Sequence, residues 1–231
     1  IYRFNERIQL CGKQIDDSDV VALTEELRAI AEEMPEKPTE FDFVTAMAMT
    51  YYARQKADIV VLEVGVGGAL DSTNIIPTPE VAVITNIGLD HTDLLGDTLE
   101  KIAAVKGGII KAGGRAVIYR GSESVEAVFE DICAEKGAVL RKADFDSLVS
   151  VRHDLFGQVF SCGHRKELVL PLLGQHQLYN AAVVLSVIDS LTDAGWSISV
   201  PYYDEQTGGY CVTFSEIVYD DETATLEITI L

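Results

Sequence analysis

The chain has 231 residues, enough for one large domain or for a full domain with a piece of another. Hydrophobic residues make up 48% and charged residues 24%, so a core can be buried, while a net charge of −19 argues against the basic stripe that nucleic-acid binding needs. The cysteines (Cys11, Cys133, Cys162 and Cys211) are scattered without a C-x-x-C pair, no apolar run is long enough to span a bilayer, and the first residues lack signal-peptide character, so the expectation is a soluble cytoplasmic protein with no membrane partner.

Apolar spacing predicts a helix over residues 16–34, with Val20, Leu23, Leu27, Ile30 and Met34 on one face and Pro35 ending it. A second helix follows over 41–56, with Val44, Met47, Ala48 and Tyr51 on one face and Thr39 as its N-cap. Phe41 at its start suits a core or staple position. Two short β-branched runs, 59–62 and 81–85, predict buried strands, and each leads into polar, Gly-rich sequence. Glu63 sits where the first run ends, and His91 follows the second. Open parallel sheets bind ligands outside the carboxyl ends of their strands. A carboxylate and an imidazole there could hold a divalent metal, and the metal a phosphate. Taken singly, such a histidine is an ordinary surface residue, and a loop such as Gly65, Gly67 and Gly68 is a turn. Asp71 and Asn74 suit local caps.

Residues 98–111 predict a helix with Leu99, Ile102, Ala103, Ile109 and Ile110 facing in and Lys106 on its surface. A strand over 115–119, a helix over 122–136 and a strand over 138–141 continue a βαβ rhythm. After Asp144 the pattern changes to short strands at 148–153, 158–162 and 167–172. Residues 174–194 form a long apolar helix with Gly195 as its cap, and 210–219 and 224–231 alternate like a hairpin about an acidic turn at 220–223. The expected fold is α/β: a mostly parallel, doubly wound sheet with flanking helices, a small antiparallel annex and a C-terminal hairpin. Residues 1–200 are expected to form the main domain and 201–231 an unassigned hairpin or tail.

Two blocks carry a family pattern. They are E-V-G-V-G-G-x-L-D-S-T-N from Glu63, and G-L-D-H-T-x-x-L-G-x-T-x-x-x-I-A-x-x-K-x-G-I-I-K from Gly88. With F-N-E-R-I from Phe4 and G-Q-H-Q-x-x-N-A-A from Gly174, the chain resembles the folylpolyglutamate synthase/dihydrofolate synthase family of the Mur ligase superfamily. The resemblance implies an ATP-dependent ligase that adds L-glutamate to a folate or dihydropteroate carboxylate through an acyl phosphate, using Mg²⁺, with Mn²⁺ also suited. It implies metal-binding and catalytic roles for Glu63 and His91. It implies a third such role for Lys106, carbamylated by CO₂ so that a cation becomes an oxygen ligand. Phe41 would stack on the pterin ring, and Asp71 and Ser72 would contact the pteroate part. His176, Gln177 and Asn180 would border the adenine.

This sequence also departs from the family. Ala69 stands where the family usually has an arginine, a planar and permanently charged donor. No G-x-x-x-x-G-K-[ST] loop occurs, and residues 201–231 do not match. The expectation is a central ligase domain without its nucleotide loop, inactive alone. The rival readings are a sibling Mur ligase of cell-wall precursor synthesis and a non-catalytic folate-ligase-like binding domain.

Overall fold

The computed structural model describes residues 2–198, and the backbone of 202–204, 209–216 and 225–230. The chain divides into two compact units, Ile1–Gly65 with Gly195–Leu231, and Val66–Ala194.

The first unit opens with a 3₁₀ turn, Phe4–Arg7, and a short antiparallel pair, β1 (Gln9–Leu10) and β2 (Lys13–Gln14). Helix α1 spans Asp17–Glu33. It stops at Met34, which is extended as the residue before a proline should be. Helix α2 spans Glu40–Gln55. Thr39 is its N-cap, as predicted: its hydroxyl accepts from the Asp42 N–H at 3.1 Å, and Asp42 accepts from the Thr39 N–H at 2.9 Å. Ile8, Ile15, Leu23, Met47 and Tyr51 form the buried core between these elements, with Val20, Leu27 and Phe43 packed against it. Ile30 and Met34, expected on the inward face of α1, are exposed instead. They lie in the last turn and at the cap of α1, beyond this core.

The predicted strand at 59–62 is not formed. Those residues make no β-ladder, and Val61 is 73% exposed. β-Branched residues favour extension, but a strand exists only where a neighbour accepts its ladder bonds. The run ends the first unit, whereas the parallel strands all belong to the second.

In the second unit, β3 (Ala82–Ile84) begins the parallel sheet. Helix α3 (Thr92–Leu95), a single turn, was not anticipated. Helix α4 (Leu99–Lys106) ends five residues short of its predicted end, because Gly107 and Gly108 pass into a 3₁₀ turn over Gly107–Ile109. Strand β4 (Arg115–Ile118), helix α5 (Glu123–Lys136) and strand β5 (Val139–Lys142) complete the order β3-β4-β5, all parallel. β4 is buried on both faces. Ala116 and Ile118 pack with Ala103, Ile110, Val125 and Phe129 on the α4/α5 side. Val117 packs with Ala143 and Val183 on the other. The sheet is thus covered on both faces, as a doubly wound fold requires.

Strands β6 (Leu148–Asp154), β7 (Gly157–Cys162) and β8 (Arg165–Leu170) form the expected antiparallel annex. Helix α6 spans Gln175–Asp193 and supplies Val183 to the sheet.

The chain then returns to the first unit. Strand β9 (Trp196–Ile198) pairs with β11 (Gly209–Glu216), which also pairs with β10 (Tyr202–Asp204) and β12 (Thr225–Ile230). The predicted hairpin is therefore two strands of a four-stranded antiparallel sheet. Its turn at 220–223 lies outside the described residues. No helix among the described residues is long and apolar enough to cross a membrane.

Candidate functional site

The Gly-rich stretch of the second unit is a tightly tied loop. Asp71 organises it: one carboxylate oxygen accepts from the Val66 N–H at 2.9 Å, and the other from the Thr73 N–H at 2.9 Å and the Thr73 hydroxyl at 2.6 Å. Asp71 thereby caps the 3₁₀ turn Ser72–Ile75.

The loop lies directly on the end of α4. The Ala69 N–H donates to the Val105 carbonyl at 3.3 Å. A β-carbon on Gly68 would stand 2.8 Å from the carbonyl oxygens of both Val105 and Lys106, and one on Gly108 would stand 2.4 Å from the Ala69 β-carbon. Only glycine permits this approach at either position. The contact brings the segment bearing Asp71 and Ser72 onto the helix end bearing Lys106.

Lys106 is half-buried, and among the described residues its ammonium makes no hydrogen bond or ion pair. Lys111 is different. Its ammonium donates to the Asn74 carbonyl at 3.2 Å. Asn74 in turn donates its carboxamide N–H groups to the carbonyls of Ala69 at 3.0 Å and Gly108 at 3.4 Å.

His91 lies on the loop after β3, at the N-cap of α3. Its backbone is left-handed (φ 47°, ψ 41°), an uncommon state for a residue with a β-carbon. The Asp90 carboxylate stabilises it by accepting the His91 N–H at 2.8 Å, and the imidazole Nε2 lies 3.7 Å from the same carboxylate. The imidazole is 51% exposed. Glu63 is exposed, and Phe41 is half-buried on α2. Both belong to the first unit, whereas His91 and Lys106 belong to the second. Among the described residues no group of three or more His, Cys, Asp or Glu side chains is arranged to hold a metal ion.

The third element is the first turn of α6. Gly174 precedes it with φ 101°. His176 is exposed, Gln177 is half-buried, and Asn180 donates to the Gln177 side-chain oxygen at 3.1 Å. Aromatic rings fix this turn at the carboxyl edge of the parallel sheet. Phe145, beyond β5, lies 4.7 Å from Tyr119, beyond β4, and 4.7 Å from Tyr179 on α6. Gln175 donates to the Tyr179 hydroxyl at 3.1 Å. Gln158 is a positioning residue that sequence reasoning missed. It is buried on β7 and donates to the Leu172 carbonyl at 2.7 Å and the Gly174 carbonyl at 3.1 Å. A glutamine among the apolar residues of a short strand was the available signal.

The edge is also charged. Arg120, after β4, pairs with Asp146 at 2.6 Å, and Lys142 at the end of β5 pairs with Glu126 at 2.7 Å and Glu130 at 2.6 Å. The hydrogen bond from Lys142 holds the Glu126 carboxyl below its ordinary range, against a smaller opposing effect of burial.

The model of the Mur ligase middle domain matches residues 12–188. The folylpolyglutamate synthase of Lacticaseibacillus casei is 36% identical over 195 residues, covering 80% of this chain and 45% of that protein. The dihydrofolate synthase/folylpolyglutamate synthase of Bacillus subtilis is 35% identical over 195 residues, covering 79% and 45%. The apo form of the L. casei enzyme superposes with a TM-score of 0.77 at 33% identity, covering 84% of this chain and 49% of that one. A folylpolyglutamate synthase complex with AMPPCP and folate gives 0.75 at 33% identity, covering 84% and 49%. The chain thus spans about half the length of these relatives. By its doubly wound sheet, its glycine loop docked on α4, and the match over residues 12–188, the chain belongs to the Mur ligase family.

Proposed function

We propose that this chain is the middle part of an ATP-dependent ligase that joins L-glutamate to the carboxylate of a folate or dihydropteroate. The observation that carries the reading is the docking of the Gly-rich loop onto the end of α4. It seats Gly68 and Ala69, the residues just before Asp71, on the turn that ends in Lys106, inside a domain one-third identical to an enzyme seen with a nucleotide analogue and folate.

In this reading the substrate carboxylate attacks the γ-phosphorus of ATP, the bond to the β-phosphate oxygen breaks, and ADP leaves. The acyl phosphate is then attacked by the glutamate amine, which loses a proton as inorganic phosphate departs. Asp71 holds the loop in shape, and Ser72 and Phe41 contact the folate. His176, Gln177 and Asn180 border the adenine at the sheet's carboxyl edge, where open α/β sheets take their ligands. Mg²⁺ or Mn²⁺ would neutralise phosphate charge when bound. Its assigned donors are Glu63, His91 and a carbamylated Lys106. Only two of these three are His, Cys, Asp or Glu side chains, so the third ligand, an oxygen, would exist only once Lys106 is carbamylated. The setting that fits is cytoplasmic, where ATP and reduced folates meet.

The test is phosphate release with ATP, Mg²⁺, glutamate and either dihydropteroate or tetrahydrofolate. A full-length protein containing this region should turn over only with acceptor and glutamate both present. The 231-residue chain alone should show little turnover, because its sequence contains no phosphate-wrapping P-loop. Losing a single charge-stabilising donor already costs about 10²–10³ in rate. Turnover of the full-length protein with a nucleotide-sugar peptide instead of either pterin would assign the domain to the cell-wall branch. Nucleotide or pterin binding without turnover would make it a binding module.

A further inference from the structure

The two lysines near the end of α4 have opposite surroundings, and the difference points to a division of labour. Lys106 leaves its ammonium without a protein partner among the described residues. Lys111, five residues on, spends its ammonium on the Asn74 carbonyl, 37 positions away in the chain. Asn74 itself spans the seam between loop and helix end. One carboxamide reaches the loop at the Ala69 carbonyl (3.0 Å) and the 3₁₀ turn at the Gly108 carbonyl (3.4 Å). The seam beneath has no slack, since β-carbons at Gly68 and Gly108 would collide with backbone or with Ala69.

We propose that Asn74 and Lys111 are positioning residues that clamp the Gly-rich loop against the end of α4, so that Lys111 holds the site in register while Lys106 is left free to act in it. The role of Lys106 rests on the reading of the preceding section. The clamp rests on the geometry alone.

The chemistry requires these residue types. Two carbonyl oxygens face the Asn74 carboxamide, so the side chain must present N–H groups. Asn74→Asp keeps the shape and replaces the donor with a charge that repels both carbonyls. Lys111 must donate to a carbonyl from a long stem. Lys111→Arg retains a cationic donor, and Lys111→Met retains only the bulk. Lys111 cannot work by becoming a carbamate, because its ammonium already donates to the Asn74 carbonyl, which a carboxylate would repel.

Two measurements test the proposal. The first is amide hydrogen exchange on the 231-residue chain, with the amides of α5 as internal control. Asn74→Asp and Lys111→Met should speed exchange at the Ala69 amide by about tenfold or more, and Lys111→Arg should return it towards the parent rate. Unchanged α5 exchange shows that the variant is folded, and Lys111→Met carries the test if Asn74→Asp does not fold. Parent-like exchange at Ala69 in a folded Lys111→Met protein overturns the clamp.

The second is ligase kinetics in a full-length protein. Lys106→Ala should regain part of its kcat on adding a short carboxylic acid. Lys111→Met should lose kcat by about tenfold with KM for ATP little changed, gain nothing from the acid, and recover as Lys111→Arg. Acid rescue of Lys111→Met would mean that Lys111 is itself the reacting group and overturns the assignment. If no variant and no parent shows turnover, the functional reading fails while the exchange result still decides the clamp.

Discussion

Gly68 shows how one missing atom shapes the site. Its β-carbon would need to sit 2.8 Å from two carbonyl oxygens that belong to backbone, which cannot swing aside as a side-chain tip can. Gly68→Ala should therefore push the loop off α4. Overpacking of this kind costs about 1–3 kcal/mol, so the urea midpoint should fall with an unchanged slope. An unchanged midpoint would mean that the loop is not seated on the helix end. His91 is constrained differently. Its left-handed backbone is held by Asp90, a local contact that sequence reading noticed only as part of a motif.

At the scale of elements, capping sets where helices begin. Thr39 and Asp42 satisfy each other's backbone N–H groups at the start of α2. Ser122 starts α5, its hydroxyl accepting from the Val125 N–H at 3.4 Å. Thr39→Ala should destabilise the first unit by about 1 kcal/mol, seen as an earlier thermal or urea transition. A variant that melts like the parent would show that tertiary packing alone places the start of α2. The ends of helices obeyed a weaker rule. The apolar residues Ile109 and Ile110 prolonged the pattern of α4 in sequence, yet the backbone left the α conformation at Gly107. Ile110 is still fully buried, so the pattern reported burial correctly and helix length wrongly.

At the scale of the whole molecule, charge governs the response to pH. The net charge is −19 at pH 7, and the sequence pI is near 4.4, so acidification relieves general repulsion. Glu126 works in the opposite sense. Its folded pKa lies below its ordinary value of 4.5, chiefly through the hydrogen bond from Lys142. Between those two values the unfolded chain binds more protons than the folded one. The contribution of Glu126 is therefore fully present above about pH 4.5 and is lost as pH falls through the folded value. Glu126→Gln should be less stable than the parent at pH 7, and the gap should close as pH falls below about 4.5. The check is a pair of denaturation series from neutral to acid pH. A gap independent of pH would mean that the loss is one of packing rather than of charge.

What the sequence determined by itself was whatever depends on neighbours within a turn or two. Helices α1, α2, α5 and α6, the Thr39 cap, the central strand β4 and the annex strands all follow from periodicity, caps and β-branched runs. The quoted motifs were likewise enough to indicate the Mur ligase family. Only the tertiary structure decided which β-branched run became a strand. Residues 59–62 have the same local character as 81–85, but only the latter gained a ladder partner, in β4. It also decided that Lys111 is tied and Lys106 is free, which identical side chains five residues apart cannot reveal. The bonds Asn74–Gly108 and Lys111–Asn74 join positions 34 and 37 residues apart. Propensity and capping act through the nearest backbone groups, whereas contacts at that separation exist only once the sheet and its helices have brought the two segments together.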